Sequence, residues 1–168
     1  MKNNICVLSI DKRYSRIVGK HLSDALDMFF ADINALIEFD IINLEEAEKI
    51  VGVSYIKKLE ESKVKNVNSY DNTLFTLNSD MLNNPNILKH IQNNALVIFL
   101  DMDKKSFVAK LNNQKLDKSY KNLQIDMFED RTAIIRDCCD IVVECTGKST
   151  KTLIPIIKNK IIAYYSER

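Results

Sequence analysis

The stretch ICVLSIDKRYSRIVGKHL, residues 5–22, places three cationic side chains between an apolar run and an amphipathic helix pattern. The cations are Lys12, Arg13 and Arg16, and the helix pattern becomes clear near Ser15. A strand, a tight loop and a helix N-terminus in this order form the layout of a phosphate-binding loop, because helix N-termini attract anions. The residue types and their spacing therefore predict a site for phosphate or a similar anion.

Glycine is missing from this loop. The chain contains three glycines, Gly19, Gly52 and Gly147, and none precedes Gly19 in the loop that follows Ser9. Backbone amides wrap a phosphate only where side chains are absent and a positive φ is inexpensive. An anion would have to be held here by side chains. The alternative interpretation is that the cations are solvated loop charges, which Asp11 partly cancels.

A second segment, VVECTGKST at residues 142–150, contains GKST after a strand-like run. The first glycine of a phosphate loop would fall on Val142, inside the strand. The segment therefore predicts a turn at Gly147, followed by a helix that Ser149 or Thr150 caps.

The elements that position these residues follow from the apolar pattern. The run ALVIFL is apolar at every position, as in a strand covered on both faces of a parallel sheet. Helical patterns separate the strands, with predicted caps at Asn43 and Asn84. The alternation predicts a three-layer α/β domain with a five-stranded parallel sheet flanked by helices. The predicted strands are Ile5–Ser9, which is central, Met28–Asp32, Thr73–Leu77, Ala95–Leu100 and Ile141–Cys145.

Length and composition predict a single domain over residues 1–168, since 46% of the residues are hydrophobic and no linker or repeat is visible. The polar stretch 112–122 is expected to be an irregular surface loop or a mobile lid. Lys and Arg number 24 against 23 Asp and Glu, which argues against nucleic acid as the main partner. No apolar run could span a membrane, and no signal peptide is visible, so we expect a cytoplasmic protein.

The four cysteines show no spacing typical of a metal site. Cys6 and Cys145 lie inside apolar strand patterns, which indicates buried reduced thiols. The adjacent Cys138 and Cys139 receive no role, and no metal site is predicted.

Six motifs in a common order resemble the shikimate kinases, a family of small P-loop kinases, over nearly the whole chain. The resemblance implies the P-loop-kinase fold and, for an active member, ATP and magnesium as cofactors. The motifs are NI at residues 4–5, GKHLS at 19–23, FFADINALIE at 29–38, GVSYIKKLE at 52–60, ALVIFLD at 95–101 and RTAIIRDCCDIVVE at 131–144.

In the register of this resemblance, the phosphate loop of the family falls on residues 9–16. Ser9 and Tyr14 replace its two glycines. Ser15 replaces the lysine that reaches the terminal phosphates, and Arg16 replaces the hydroxyl that holds magnesium. The resemblance therefore implies a degenerate phosphate loop. We expect side chains to fill its turn, with Tyr14 covering the phosphate space.

The same register places Arg131 and Lys57 at positions that hold the carboxylate of the acceptor. Asp32 matches the first acid of a DxD motif, whereas Asn34 replaces the second acid, which in the family is placed to take a proton. Residues 78–80 replace a glycine triplet of the acceptor site. Arg131, Lys57 and Asp32 are therefore the candidate acceptor or anion-binding residues.

Arg131 has a second interpretation. Instead of holding a ligand, it could form an internal ion pair, and the sequence offers Asp32, Asp130 and Asp137 as partners. Asp32 would itself need such a partner if no magnesium binds beside it.

These departures lead to two main hypotheses. In the first, the chain has lost kinase activity, needs no cofactor, and binds a small carboxylate or phosphate or a protein partner. In the second, it is an active or weakly active ATP- and magnesium-dependent small-molecule kinase with a rearranged phosphate loop. The absence of arginine from residues 112–122, where the family has a lid arginine, favours the first. A third possibility is a structural interaction protein with an empty cleft.

Overall fold

A computed structural model describes residues 2–41 and 49–167. The predicted cap at Asn43 lies outside these residues. In chain order the elements are β1 (Asn4–Leu8), α1 (Lys12–Leu26), β2 (Phe29–Asp32), α2 (Ile33–Asp40), α3 (Val53–Asn68), β3 (Thr73–Thr76), a short 3₁₀ helix (Ser79–Asn83), α4 (Pro85–Asn94), β4 (Ala95–Asp101), α5 (Lys104–Asn112), α6 (Lys118–Asp126), α7 (Phe128–Cys138), β5 (Ile141–Glu144) and α8 (Thr150–Ser166).

The strands form one five-stranded sheet in the order β2-β3-β1-β4-β5. All neighbouring pairs are parallel, and Cys6 of the central strand pairs with Phe75 on one side and Val97 on the other. The predicted α/β fold, its parallel sheet and its central first strand are confirmed. Because the strands are parallel, their carboxyl ends meet at one edge, where α1 and α2 begin.

Side chains of β1 alternate between the two faces of the sheet. Cys6 and Leu8 are buried on the face covered by α2, α3, α4 and α7. Ile5 and Val7 are buried on the opposite face, which α1 and α8 cover. Burying apolar surface on both faces is the main stabilising contribution to this three-layer arrangement.

Gly19 allows α1 to lie close to the sheet. A Cβ atom at this position would stand 2.8 Å from Cγ2 of Thr76 and 3.3 Å from the ring of Phe30. Such a distance is shorter than normal packing permits, so a larger residue would push α1 away from β2 and β3. The glycine thus allows the middle of α1 to pack closely against β2 and β3.

Two predicted boundaries were wrong. Helix α1 begins at Lys12 rather than near Ser15, because the side chain of Asp11 caps it. The stretch 112–122 is not irregular throughout, since α6 begins at Lys118 after a cap by Asp117. Its function as a lid stays a prediction.

The cysteines are free thiols, and Cys6, Cys138 and Cys145 are buried. Burial raises the pKa of Cys138 and of Cys145 to about 11, so both thiols are protonated at neutral pH. Among residues 2–41 and 49–167, no helix is long and apolar enough to cross a membrane.

Candidate functional site

A small cavity of about 60 Å³ lies at the carboxyl edge of the sheet, between the first turns of α1 and α2. Its lining includes the predicted loop residues Lys12, Arg13, Ser15 and Arg16, together with Asp32. The structure therefore brings these four loop residues and one candidate acceptor residue into a single site.

The first amides of α1 are bound to Asp11. Its Oδ1 accepts hydrogen bonds from the backbone N–H of Arg13 at 3.0 Å and of Tyr14 at 3.4 Å. Its backbone carbonyl accepts from the N–H of Ser15 at 3.1 Å. Asp11 is buried, so this carboxylate takes up amide donors that a bound phosphate would use. The sequence carried a signal for this cap, because aspartate directly before a helix is a preferred N-cap residue.

Tyr14 fills apolar space beside the loop. Its half-buried ring packs against Ile10 and against Phe107 and Leu111 of α5. Nζ of Lys110 lies 4.7 Å from the centroid of the ring, which is the geometry of a cation–π contact. Burial raises the pKa of Tyr14 far above its ordinary value, so the phenol is neutral. That this side chain excludes phosphates stays a prediction.

Arg16 is paired with Asp32. Nε of the guanidinium lies 3.1 Å from Oδ2 of the carboxylate, whose Oδ1 accepts from the backbone N–H of Asn34 at 3.1 Å. Asp32 therefore caps α2 with one oxygen and binds an internal cation with the other. The resemblance assigns magnesium to this part of the site. In this chain a guanidinium supplies the positive charge beside the acid.

Lys12 and Arg13 are exposed and form no ion pair with any residue that the structure describes. They also line a second cavity of about 40 Å³, on the side of Asn78 and α5. Thr76 lines the larger cavity, and its Oγ1 is buried and has no hydrogen-bond partner in the described part of the chain. Two free cations and one free hydroxyl are groups that suit a small oxyanion.

Arg131 lies on α7 and is held by internal contacts. Its Nη2 is 2.5 Å from Oδ1 of Asp80, and its Nη1 donates a hydrogen bond to Oε1 of Gln124. The Sδ atom of Met127 lies 3.5 Å from Nη2. The side chain of Arg131 is only 6% exposed. The ion-pair interpretation is thus correct in kind, and the partner is Asp80.

The partners that the sequence suggested for Arg131 were wrong. Asp32 pairs with Arg16 instead. Asp80 lies in the 3₁₀ helix that follows β3, and α7 packs against that helix. The only signal in the sequence was an acid where the resemblance expects glycine.

The three candidate acceptor residues are not brought together. Arg131 does not line the cavity that contains Asp32. Lys57 is exposed on α3, also lies outside that cavity, and has no ion-pair partner among residues 2–41 and 49–167. Asn34 does line it, so an amide stands beside Asp32 where the family has a second acid.

Comparison with solved structures agrees with this fold. The chain superimposes on shikimate kinase from Bacteroides thetaiotaomicron with a TM-score of 0.81 at 12% identity, covering 94% of this chain and 97% of that one. For shikimate kinase from Acinetobacter baumannii in complex with shikimate, the TM-score is 0.81 at 15% identity, with 96% and 93% covered. For the Aquifex aeolicus enzyme, it is 0.76 at 20% identity, with 95% and 96% covered. At these identities the likeness establishes the fold.

Comparison of sequences extends the likeness to the family. A shikimate kinase from Sulfurihydrogenibium sp. (strain YO3AOP1) is 26% identical over 152 residues, which cover 86% of this chain and 89% of that protein. The family model for shikimate kinase matches residues 16–162, so the match begins at the last residue of the segment 9–16. Because it spans most of the sequence, the chain belongs to the shikimate kinase family.

Proposed function

We propose that this chain is a shikimate kinase family member that has lost phosphoryl transfer and retains a binding site for a small anion. The observation that carries the proposal is the contact between Asp11 and the first amides of α1. A carboxylate fixed at this point occupies donors that would otherwise serve a phosphate. Its negative charge also repels one.

The chemistry of phosphoryl transfer supports the same conclusion. Catalysis of this reaction depends on positioning and on stabilising the charge of the moving group. Ser15 cannot supply the charge of the missing lysine, and Asn34 cannot act as a carboxylate base. Removing one such group commonly slows an enzyme about a hundredfold or more, so losing several leaves little activity.

The retained ligand class follows from the groups that remain free. Lys12 and Arg13 supply two cations to the lining of the 60 Å³ cavity, and Thr76, which also lines it, carries a buried hydroxyl with no hydrogen-bond partner among the described residues. Arg16 adds little, because Asp32 already neutralises it. These groups suit phosphate better than a nucleotide, whose larger phosphate chain needs the amides that Asp11 holds.

The decisive experiment is a coupled ADP-release assay with ATP, magnesium and shikimate. We expect no turnover above background, with an active shikimate kinase as the positive control. Turnover on the order of 1 s⁻¹ lies within the usual range for enzymes and would overturn the proposal.

A binding experiment tests the anion site separately. Inorganic phosphate should raise the melting temperature of the wild-type protein, because a ligand that binds only the folded state stabilises it. The double variant Lys12→Ala/Arg13→Ala should lose this response. Lys20→Ala removes an exposed cation from the same helix, away from the cavity, and should keep it.

The second candidate is an active kinase with a rearranged phosphate loop. Membership of the family favours it, since shikimate kinases use ATP and magnesium, and so do the free charges of Lys12 and Arg13. The two candidates differ in one measurement. A rise in melting temperature with ATP plus magnesium that far exceeds the rise with phosphate would favour the kinase.

A further inference from the structure

Arg131 and Asp80, which we call the acceptor half of the candidate site, form an ion pair within the chain. We infer that Asp80 is a built-in occupant of a carboxylate-binding position at Arg131, and that removing its side chain opens this position to small carboxylates from solution. The inference rests on the proposed function, because it explains why the acceptor half of a member without kinase activity would not bind a carboxylate from solution.

The two partners differ sharply in exposure. The side chain of Arg131 is 6% exposed, whereas that of Asp80 is 42% exposed. Gln124 and Met127 hold the guanidinium from within the fold. The arginine is thus held in place by its neighbours, and its counterion belongs to a partly exposed side chain whose contacting oxygen, Oδ1, is buried. Removing the side chain of Asp80 would therefore uncover the guanidinium from the side on which Asp80 is exposed.

The contact with Asp80 leaves part of the guanidinium unused. Only Oδ1 approaches Nη2, while Oδ2 lies 3.4 Å from the side-chain nitrogen of Asn78. Nε of Arg131 is buried and has no hydrogen-bond partner among the described residues. Nε and Nη2 share one edge of the guanidinium, which can hold both oxygens of a carboxylate. A free carboxylate can adopt that geometry, whereas the tether of Asp80 permits one contact.

Neighbouring side chains also have unused hydrogen-bonding capacity. Oγ of Ser79 and Oγ1 of Thr132 are buried and lack partners within the part of the chain that the structure describes. Ser79 precedes Asp80 in the 3₁₀ helix, and Thr132 follows Arg131 on α7. Thr132 lines a separate cavity with Arg136, so only Ser79 bears on the ion pair. Within the pair, Oδ1 of Asp80 is also buried and makes no hydrogen bond among the described residues, so Asp80 is an imperfectly matched partner for Arg131.

The chemical class of the ligand is a small monocarboxylate. In the wild-type protein, Asp80 competes at a very high local concentration, because it is part of the chain. Asp80→Ala removes this competitor and leaves space for a group the size of acetate. Asp80→Asn removes the charge but leaves the volume filled.

The test measures the melting temperatures of wild type, Asp80→Ala and Asp80→Asn in increasing sodium acetate, with sodium chloride at equal ionic strength as the reference. We expect acetate to bind Asp80→Ala at least tenfold more tightly than wild type, and Asp80→Asn to respond less. Asp101→Ala is the matched control. It removes the 2.5 Å partner of Arg136, whose side chain is 57% exposed and hydrated, and it should show no acetate response.

Equal responses of wild type and Asp80→Ala to acetate would overturn the inference, as would a matching response of Asp101→Ala. If Asp80→Ala is unfolded without ligand, refolding by acetate but not by chloride supports the inference, and failure to refold contradicts it. The outcome is independent of the kinase assay and of phosphate binding at Lys12 and Arg13. Failure here is therefore distinguishable from failure of the proposed function.

Discussion

The two halves of the candidate site hold their charged groups in different ways. In the nucleotide half, residues 9–16, the carboxylate of Asp11 accepts hydrogen bonds from the first amides of α1. In the acceptor half, formed by Asp80 and Arg131, a carboxylate of the chain pairs with a buried guanidinium. In our proposal, the first half has lost its phosphate receptor and the second has gained an internal ligand.

The contacts in the two halves also differ in how far apart their residues lie along the chain. The contacts of Asp11 span two or three residues and follow from local helix capping. The pair between Asp80 and Arg131 joins distant parts of the chain and depends on the packing of α7 against the 3₁₀ helix. Removing Asp80 would break the second arrangement and removing Asp11 would break the first, so each can be tested by a single substitution.

The largest effect is expected from Arg131→Ala. The variant removes a buried guanidinium and leaves Gln124 and Asp80 without their partner. Hydrogen bonds to charged groups contribute about 1.5–3 kcal/mol each, and the exposure of Asp80 reduces its share. We expect a loss of about 3 kcal/mol in the free energy of unfolding, measured by urea denaturation.

Arg136→Ala is the matched control for this variant. Arg136 lies on the same helix and pairs with Asp101 at the same 2.5 Å distance, but it is exposed. It should cost well under 1 kcal/mol. If Arg131→Ala and Arg136→Ala lost equal unfolding free energy, the burial of Arg131 would not make its ion pair more stabilising than an exposed one.

Asp140 provides a carboxylate outside both halves. Its oxygens accept hydrogen bonds from the backbone N–H of Val97, Nζ of Lys2 and the hydroxyl of Tyr164, at 2.9, 3.0 and 3.0 Å. We expect Asp140→Asn to lose about 2 kcal/mol of unfolding free energy at neutral pH. Asp24→Asn, which affects an exposed pair with Lys20, should lose far less.

The stability lost in Asp140→Asn should depend on pH, and the direction of this dependence follows from the pKa of Asp140. Partial burial acts to raise the pKa of Asp140, but the hydrogen bonds from Val97 and Lys2 outweigh it and hold that pKa below its usual value. A carboxyl group whose pKa is lower in the folded state stabilises the protein at pH values above its unfolded-state pKa of about 3.9. This stabilisation is lost as the pH falls through the folded-state pKa. The gap between wild type and Asp140→Asn should therefore close on acidification. A gap of constant size would contradict this account.

The fold could be predicted well from the sequence because each strand of the sheet contains a contiguous apolar run. The β4 run is apolar over six positions, and all six are buried in the centre of the molecule. The cap of α4 at Asn84 and the position of β1 were predicted for the same local reasons. Such features depend on neighbouring residues, which a sequence displays directly.

The candidate site was predicted only in part. The predicted loop residues and Asp32 do line one cavity. The pairing of Arg131 with Asp80 was missed, because an ion pair between separate elements depends on the distance between two surfaces rather than on spacing along the chain. The role of Asp11 was missed for another reason, since its charge was considered and its position as a cap was not.

Asp11→Ala tests the nucleotide half, and we expect it to lower the unfolding free energy less than Arg131→Ala or Asp140→Asn does. Loss of an N-cap costs about 1 kcal/mol of unfolding free energy. The variant also frees the N–H groups of Arg13 and Tyr14, so phosphate should bind more tightly than to wild type in a calorimetric titration. Asp103→Ala removes the cap of α5, where the carboxylate accepts from the N–H of Ser106, and should leave phosphate affinity unchanged. An unchanged affinity in Asp11→Ala would show that the amides of α1 are not the missing donors.

The smallest effect is expected from Arg16→Ala, and its size decides how far the two halves differ. The pair with Asp32 joins the same two kinds of group as the pair of Arg131, but its distance is longer, at 3.1 Å, and the side chain of Arg16 is 61% exposed and well screened by water. Asp32 also keeps its hydrogen bond from the N–H of Asn34 when the guanidinium is removed. We therefore expect a loss of about 0.5 kcal/mol or less in urea denaturation, similar to that of Lys20→Ala on the same helix. A loss near that of Arg131→Ala would show that the nucleotide half also depends on an internal ion pair for its stability. The contrast between the two halves would then lie in the identity of the partners and no longer in the strength with which they are held.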